Sequence, residues 1–213
     1  MLLTEFEKEI KEMLQLQIKI RNVYFKTQNS VINLDNPGVF PQPYFEMRYA
    51  LEHLAFAFID ENGNWHKDDK LAKEEMKKIR GHLLRCYTDL LEWQFLKLKV
   101  CLHKMTKGLS VNYIKEAMPN YYSELKPLFV QTEDMLTEMK SQPESEHNSR
   151  MDILDEVQTN CEKLMRETIK RESFDELRQK SKRQSISDIF IKVVFPILTA
   201  ILGAAAGVLF SCL

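Results

Sequence analysis

Apolar residues recur at three- and four-residue steps through most of the chain, the spacing of amphipathic helices. Over residues 2–27, Leu3, Phe6, Ile10, Met13, Leu14, Ile18 and Ile20 keep these steps between Glu and Lys, which predicts a first helix. The stretch 31–43, VINLDNPGVFPQP, holds Pro37, Gly38, Pro41 and Pro43 and predicts a loop. A second helix is expected from about Tyr44 to Phe58, then a turn at 60–65, DENGNW. A long helix follows over about 67–106, with Leu71, Ile79, Leu83, Leu84, Tyr87, Leu90, Leu91, Phe95, Leu98 and Leu102 as its apolar face. Gly108 should stop it, and Ser110 suits the next N-cap. Pro119 and Pro127 break the next stretch into pieces, the last reaching about Lys140. SQPESEHNS, 141–149, reads as a linker. A charged helix is expected over 151–183, with Ile153, Leu154, Val157, Cys161, Leu164, Met165 and Ile169 spaced for a seam. It is either the last member of the bundle or a stalk beneath it. The expected fold is all-α, a bundle of four or five helices without internal repeats.

The pattern changes at Val193. From there to Leu213 the chain reads VVFPILTAILGAAAGVLFSCL, 21 residues without a charge. At about 1.5 Å per residue, a helix of that length spans roughly the 30 Å hydrocarbon core of a bilayer. Its polar side chains are Thr199 and Ser211, whereas a buried helix of a globular domain normally keeps a polar stripe. Pro196 is tolerated in a lipid-embedded helix. Lys180, Lys182, Arg183 and Lys192 stand before it, so the positive-inside rule keeps the preceding bulk in the cytoplasm. The expectation is a single-pass, tail-anchored protein of a cell's inner membrane, its first partner the lipid bilayer. Gly203, Gly207 and Ser211 lie four apart and form a small-xxx-small face on which copies of the helix can meet, predicting a homo-oligomer.

Composition narrows the functional classes. Thirty Lys and Arg against 31 Asp and Glu leave a net charge of -1, which offers no global electrostatic footprint for nucleic acid, and no DNA partner is expected. Six glycines cannot furnish a Gly-rich phosphate loop together with the turns of an all-β fold. Cys86, Cys101, Cys161 and Cys212 form no CxxC pair, which excludes a zinc ribbon and a disulfide scaffold. Acidic residues Glu5, Glu7 and Glu9 break up the first ten positions, so no signal peptide is read there. The run Asp60–Asn64 fails as a calcium loop, because its glycine is fourth and position twelve is Leu71. No metal and no cofactor are expected.

One pattern carries definite chemistry. Arg48-Tyr49-Ala50-Leu51-Glu52-His53 is an R-x4-H at the start of the second helix. In metal-independent RNA cleavage an imidazole can transfer protons while a guanidinium stabilises the charge on phosphorus. Five residues on a helix turn the side chains ~140° apart, so a full site would need two copies across a dimer.

A helical body bearing R-x4-H on a helix resembles the HEPN superfamily. Joined to one hydrophobic segment, it resembles the HEPN-like, pore-forming membrane accessory proteins of type VI-B CRISPR systems. The resemblance implies a cytoplasmic HEPN-like domain over 1–140, a linker at 141–149, a charged juxtamembrane helix at 150–186 and a transmembrane helix at 187–213. It implies an oligomeric pore in antiviral defence that supports an RNA-guided RNA-cleaving effector, with that effector and its RNA as partners. Tyr49 stands where active HEPN nucleases usually carry a polar residue, which turns Arg48 and His53 toward a structural role and the enzyme question toward no. Two alternatives stand beside the pore: a membrane-tethered HEPN ribonuclease acting as a dimer, and a tail-anchored adaptor.

Overall fold

The computed structural model describes residues 6–29, 42–59, 62–64, 68–143 and 147–168, together with residues 176, 178, 179, 181–183, 192 and 196. The helices are α1 (Glu7–Asn29), α2 (Gln42–Phe58), α3 (Asp69–Thr106), α4 (Val111–Ala117), α5 (Lys126–Ser141) and α6 (His147–Thr168). A π-helical turn, Tyr121–Leu125, leads into α5, and the described residues contain no strand element. The chain is all-α, as the periodicity requires. Among the described residues no helix is long and apolar enough to cross a membrane. The helix expected at 187–213 lies, but for Lys192 and Pro196, outside the described residues, as do Gly203, Gly207, Ser211 and Lys180.

The chain forms two compact units. The first comprises Met1–His103 with Ser123–Ile169 and holds most of the buried apolar residues. α3 is its centre: Leu83, Leu84, Cys86, Tyr87, Leu90, Leu91 and Leu98 are all buried, more than one stripe of the helix. Its start is capped by Asp68, whose carboxylate accepts from the backbone N–H of Lys70 and Leu71 at 3.0 Å. α1 buries Met13, Leu16, Ile20, Val23 and Thr27, and Phe6 just before it is buried too. Two apolar positions assigned to that face from sequence, Leu14 and Ile18, are instead 54% and 53% exposed. The 3-4-3-4 series from Met13 through Leu16, Ile20, Val23 and Thr27 sets the inner face, and Leu14 sits about 100° round from it. On α3 the first turn is likewise rotated, so Ala72 is buried while Leu71 is 38% exposed.

α6 is a member of this bundle. It buries Arg150, Leu154, Val157, Cys161, Leu164 and Thr168, a strict 4-3-4-3-4 seam, and packs along α5. The buried Tyr87 hydroxyl of α3 donates to Gln158 Oε1 at 2.5 Å, and Lys19 of α1 pairs with Asp155 at 2.6 Å. The helix begins at His147, inside the stretch 141–149 read as linker, because the seam already starts at Arg150. Residues 147–168 are therefore part of the bundle rather than a stalk.

The second unit comprises Lys104–Tyr122 with Lys170–Leu213. Gly108 ends α3 with φ +80°, the left-handed conformation that glycine takes without a Cβ penalty. The Ser110 hydroxyl then accepts from Tyr113 N–H at 3.5 Å as the α4 N-cap. Arg178 donates to the carbonyls of Lys104 and Met105 in this unit, where the last turn of α3 leaves acceptors open.

Candidate functional site: a paired-histidine cleft

Two stripes of polar residues face each other across α2 and α3. Glu46, Tyr49 and His53 follow one another at three and four residues on α2. Glu75, Lys78, His82 and Arg85 do the same on α3. Both glutamates are buried, at 8% and 5% exposure, among apolar neighbours such as Ala50, Ala72 and Met76. A carboxylate in that position must be paired, and each is paired with an imidazole from the opposite helix. His53 Nδ1 lies 2.5 Å from Glu75, and His82 Nδ1 lies 2.7 Å from Glu46. The two rings stack at 5.1 Å between centroids and 19° between planes, and Tyr49 lies against His82 at 5.5 Å.

Proton positions follow from the acceptors. A carboxylate can only accept, so both Nδ1 atoms carry the hydrogen and donate it. Arg85 also approaches His82 Nδ1, at 2.9 Å, but that nitrogen has no lone pair left to offer. The guanidinium is served instead by Glu46, to which Arg85 Nε donates at 3.2 Å. Burial pushes the Glu46 carboxyl up, and the hydrogen bonds from His82 and Arg85 outweigh it, holding the group below the ordinary carboxylate value. Glu75 is likewise raised by burial and brought below its ordinary value by Lys78 and His53. Both glutamates are thus anions that fix the tautomer and the tilt of an imidazole, the arrangement that leaves Nε2 of each ring for outside partners.

The imidazoles form part of the wall of an open cleft of about 400 Å³, lined by His53, Lys77, Lys78, Gly81, His82, Arg85 and His147. Every ionisable group among the described lining residues is a nitrogen base; Glu46 and Glu75, which hold the rings, are buried. Among the described residues no group of three or more His, Cys, Asp or Glu is placed to hold a metal ion. Burial pushes the Cys86 and Cys161 thiols up to about 12, which keeps both in the thiol form.

Arg48 and His53 are not brought together within the chain. The Arg48 side chain is 63% exposed and forms an i,i+4 pair with Glu52 at 2.8 Å, while His53 turns inward to Glu75. The divergence is the one that an i,i+5 step imposes. Sequence reading found His53 but missed Glu46, Glu75, His82 and Arg85. The available signal was an acid on an inner face: Glu46 falls in line with Pro43, Ala50 and Ala57, and Glu75 beside Ala72 and Met76. Of the basic residues assigned to the membrane flank, Lys182, Arg183 and Lys192 are exposed.

A second feature of the first unit is an apolar surface. α2 buries mainly small or polar residues, and exposes Tyr44, Phe45, Tyr49, Leu51, Leu54 and Phe56. Tyr44, at 71%, and Leu51, at 60%, stand almost free of the fold. Beside them a groove of about 600 Å³ runs over Ile18, Tyr24 and Phe25 of α1, Tyr44 and Met47 of α2, and Leu90 of α3. A helix whose outer face is greasier than its inner one is unusual for an isolated domain.

No family model, curated protein or solved structure matches the chain.

Proposed function

We propose that the chain is a membrane-anchored helical effector that works as a homo-oligomer, an accessory protein of antiviral defence of the HEPN-like, pore-forming kind. The observation that carries the reading is the uncharged 21-residue run from Val193 to Leu213. Nothing in a water-soluble bundle requires such a run, and its length suits one bilayer crossing. The exposed aromatic and aliphatic face of α2 supports the oligomeric part, because contact with a second copy removes it from water. A single helix cannot enclose an aqueous path, so any pore requires several copies side by side. With Thr199 and Ser211 as its polar side chains, the lumen would be mostly apolar and able to stay dry until the cytoplasmic domains rearrange. Arg48, out in solvent on Glu52, belongs with a structural or assembly role; as part of a nuclease it would need a histidine from another chain.

The test is deletion of residues 187–213 followed by cell fractionation and recording of membrane potential. The full chain should pellet with the inner membrane and depolarise it when the partner effector is triggered, and the truncated chain should do neither. Pelleting of the truncation would place the membrane-binding determinant elsewhere and overturn the reading.

A further inference from the structure

We infer that the paired-histidine cleft is a binding site for a phosphate group. The inference is independent of the membrane reading and stands on three observations in the first unit.

The first is the sign of the wall. His53, Lys77, Lys78, His82, Arg85 and His147 all present nitrogen, and among the described residues no carboxylate shares the lining. Glu46 and Glu75 are close, yet both are buried and neither is among the lining residues. A site for a cation would bring the carboxylates into the lining; the described lining holds none. The second is the distribution of donors. Lys77 is exposed and has no carboxylate partner among the described residues. Lys78 uses one of its three ammonium donors on Glu75 at 2.6 Å. With Nδ1 of His53 and of His82 committed to a glutamate, the other nitrogen of each ring can donate to an anionic oxygen when the ring is protonated. Tetrahedral oxyanions are recognised by converging donors of this kind.

The third is Gly81. It lies within a 38-residue helix, where glycine is a poor choice, and neither sterics nor backbone conformation demands it. A Cβ built there would meet only Arg85 Nη1, at 3.7 Å, an ordinary contact. Gly81 lines the cleft about one helical turn after Lys77 and Lys78 and one turn before Arg85, so the missing side chain leaves space in the lining there. The volume of about 400 Å³ admits a phosphate with a small organic group attached. The phosphate could be free, part of a nucleotide or part of a lipid headgroup, and the chemistry of recognition is shared.

The experiment is calorimetric titration of the full chain in mild detergent with inorganic phosphate, adenosine monophosphate and glycerol 3-phosphate. Saturable binding of at least one probe is expected, weakened about tenfold or more by Lys77→Glu, a loss of about 1.4 kcal/mol. Gly81→Val should weaken it as well, by filling that space, and Lys115→Glu, outside the cleft, should not. Tighter binding of the nucleotide than of the other two assigns the site to nucleotides; tighter binding of glycerol phosphate assigns it to lipid headgroups; equal binding assigns it to phosphate itself. Absence of binding to all three probes overturns the proposal, as does equal weakening by Lys77→Glu and Lys115→Glu.

Discussion

The carboxylates of α2 and α3 divide into two kinds. Glu46 and Glu75 are buried but paired, and their partners keep them ionised. Asp89 is the contrary case. Burial, with Glu92 and Glu46 nearby, raises its carboxyl to about 6, and the opposing influence of Lys140 and Arg85 is smaller. A folded-state value above the ordinary 3.8 means that ionisation at neutral pH acts against the fold. The penalty is absent below about pH 4, grows as pH rises through the folded value, and is complete above it. Asp89→Asn should therefore stabilise the protein at pH 7, by about 1–2 kcal/mol after allowance for its partial exposure, and by little at pH 4. Urea melts of both proteins at the two pH values check this; an equal gain at both would point to packing rather than charge.

Helix positions and lengths were legible in the sequence, because proline, glycine and capping residues act locally. Gly108 and Ser110 do what their chemistry suggests, with φ +80° and an N-cap hydrogen bond. The rotation of each helix was less legible. Leu14 and Leu71 are as apolar as the residues beside them that are buried, and only the tertiary partner decides which row turns inward. The His53–His82 stack was invisible for the same reason: it joins two helices whose relative register no local rule fixes. Two substitutions test the helices themselves. Gly81→Ala should stabilise α3 by about 0.5–1 kcal/mol, since alanine is the better helix former and its methyl meets only Arg85 at 3.7 Å. A loss of stability would show that the backbone there is closer-packed than it stands. Leu154→Ala on α6 should cost about 2–5 kcal/mol, because that side chain is fully buried in the seam. A change below about 0.5 kcal/mol, read from chemical denaturation, would mean that α6 is not bound to the bundle.

At the scale of the molecule, the proposed membrane-bound oligomer rests on two apolar features: the uncharged run 193–213, which would meet lipid, and the exposed outer face of α2, which would meet a second copy. Both requirements are met at once if several chains stand side by side in a membrane. In the proposed arrangement the four-residue spacing of Gly203, Gly207 and Ser211 would let backbones meet, as small residues do in lipid. Leucine at both glycines adds bulk where helices must meet and keeps the segment hydrophobic enough to insert. The most direct test is the native mass of the full chain in mild detergent, measured for the wild type and for the Gly203→Leu/Gly207→Leu double variant. The wild type should run as a discrete oligomer, and the double variant should reach the membrane but shift toward smaller species. A wild-type protein that is monomeric at all concentrations would contradict the account and leave the chain a tethered adaptor.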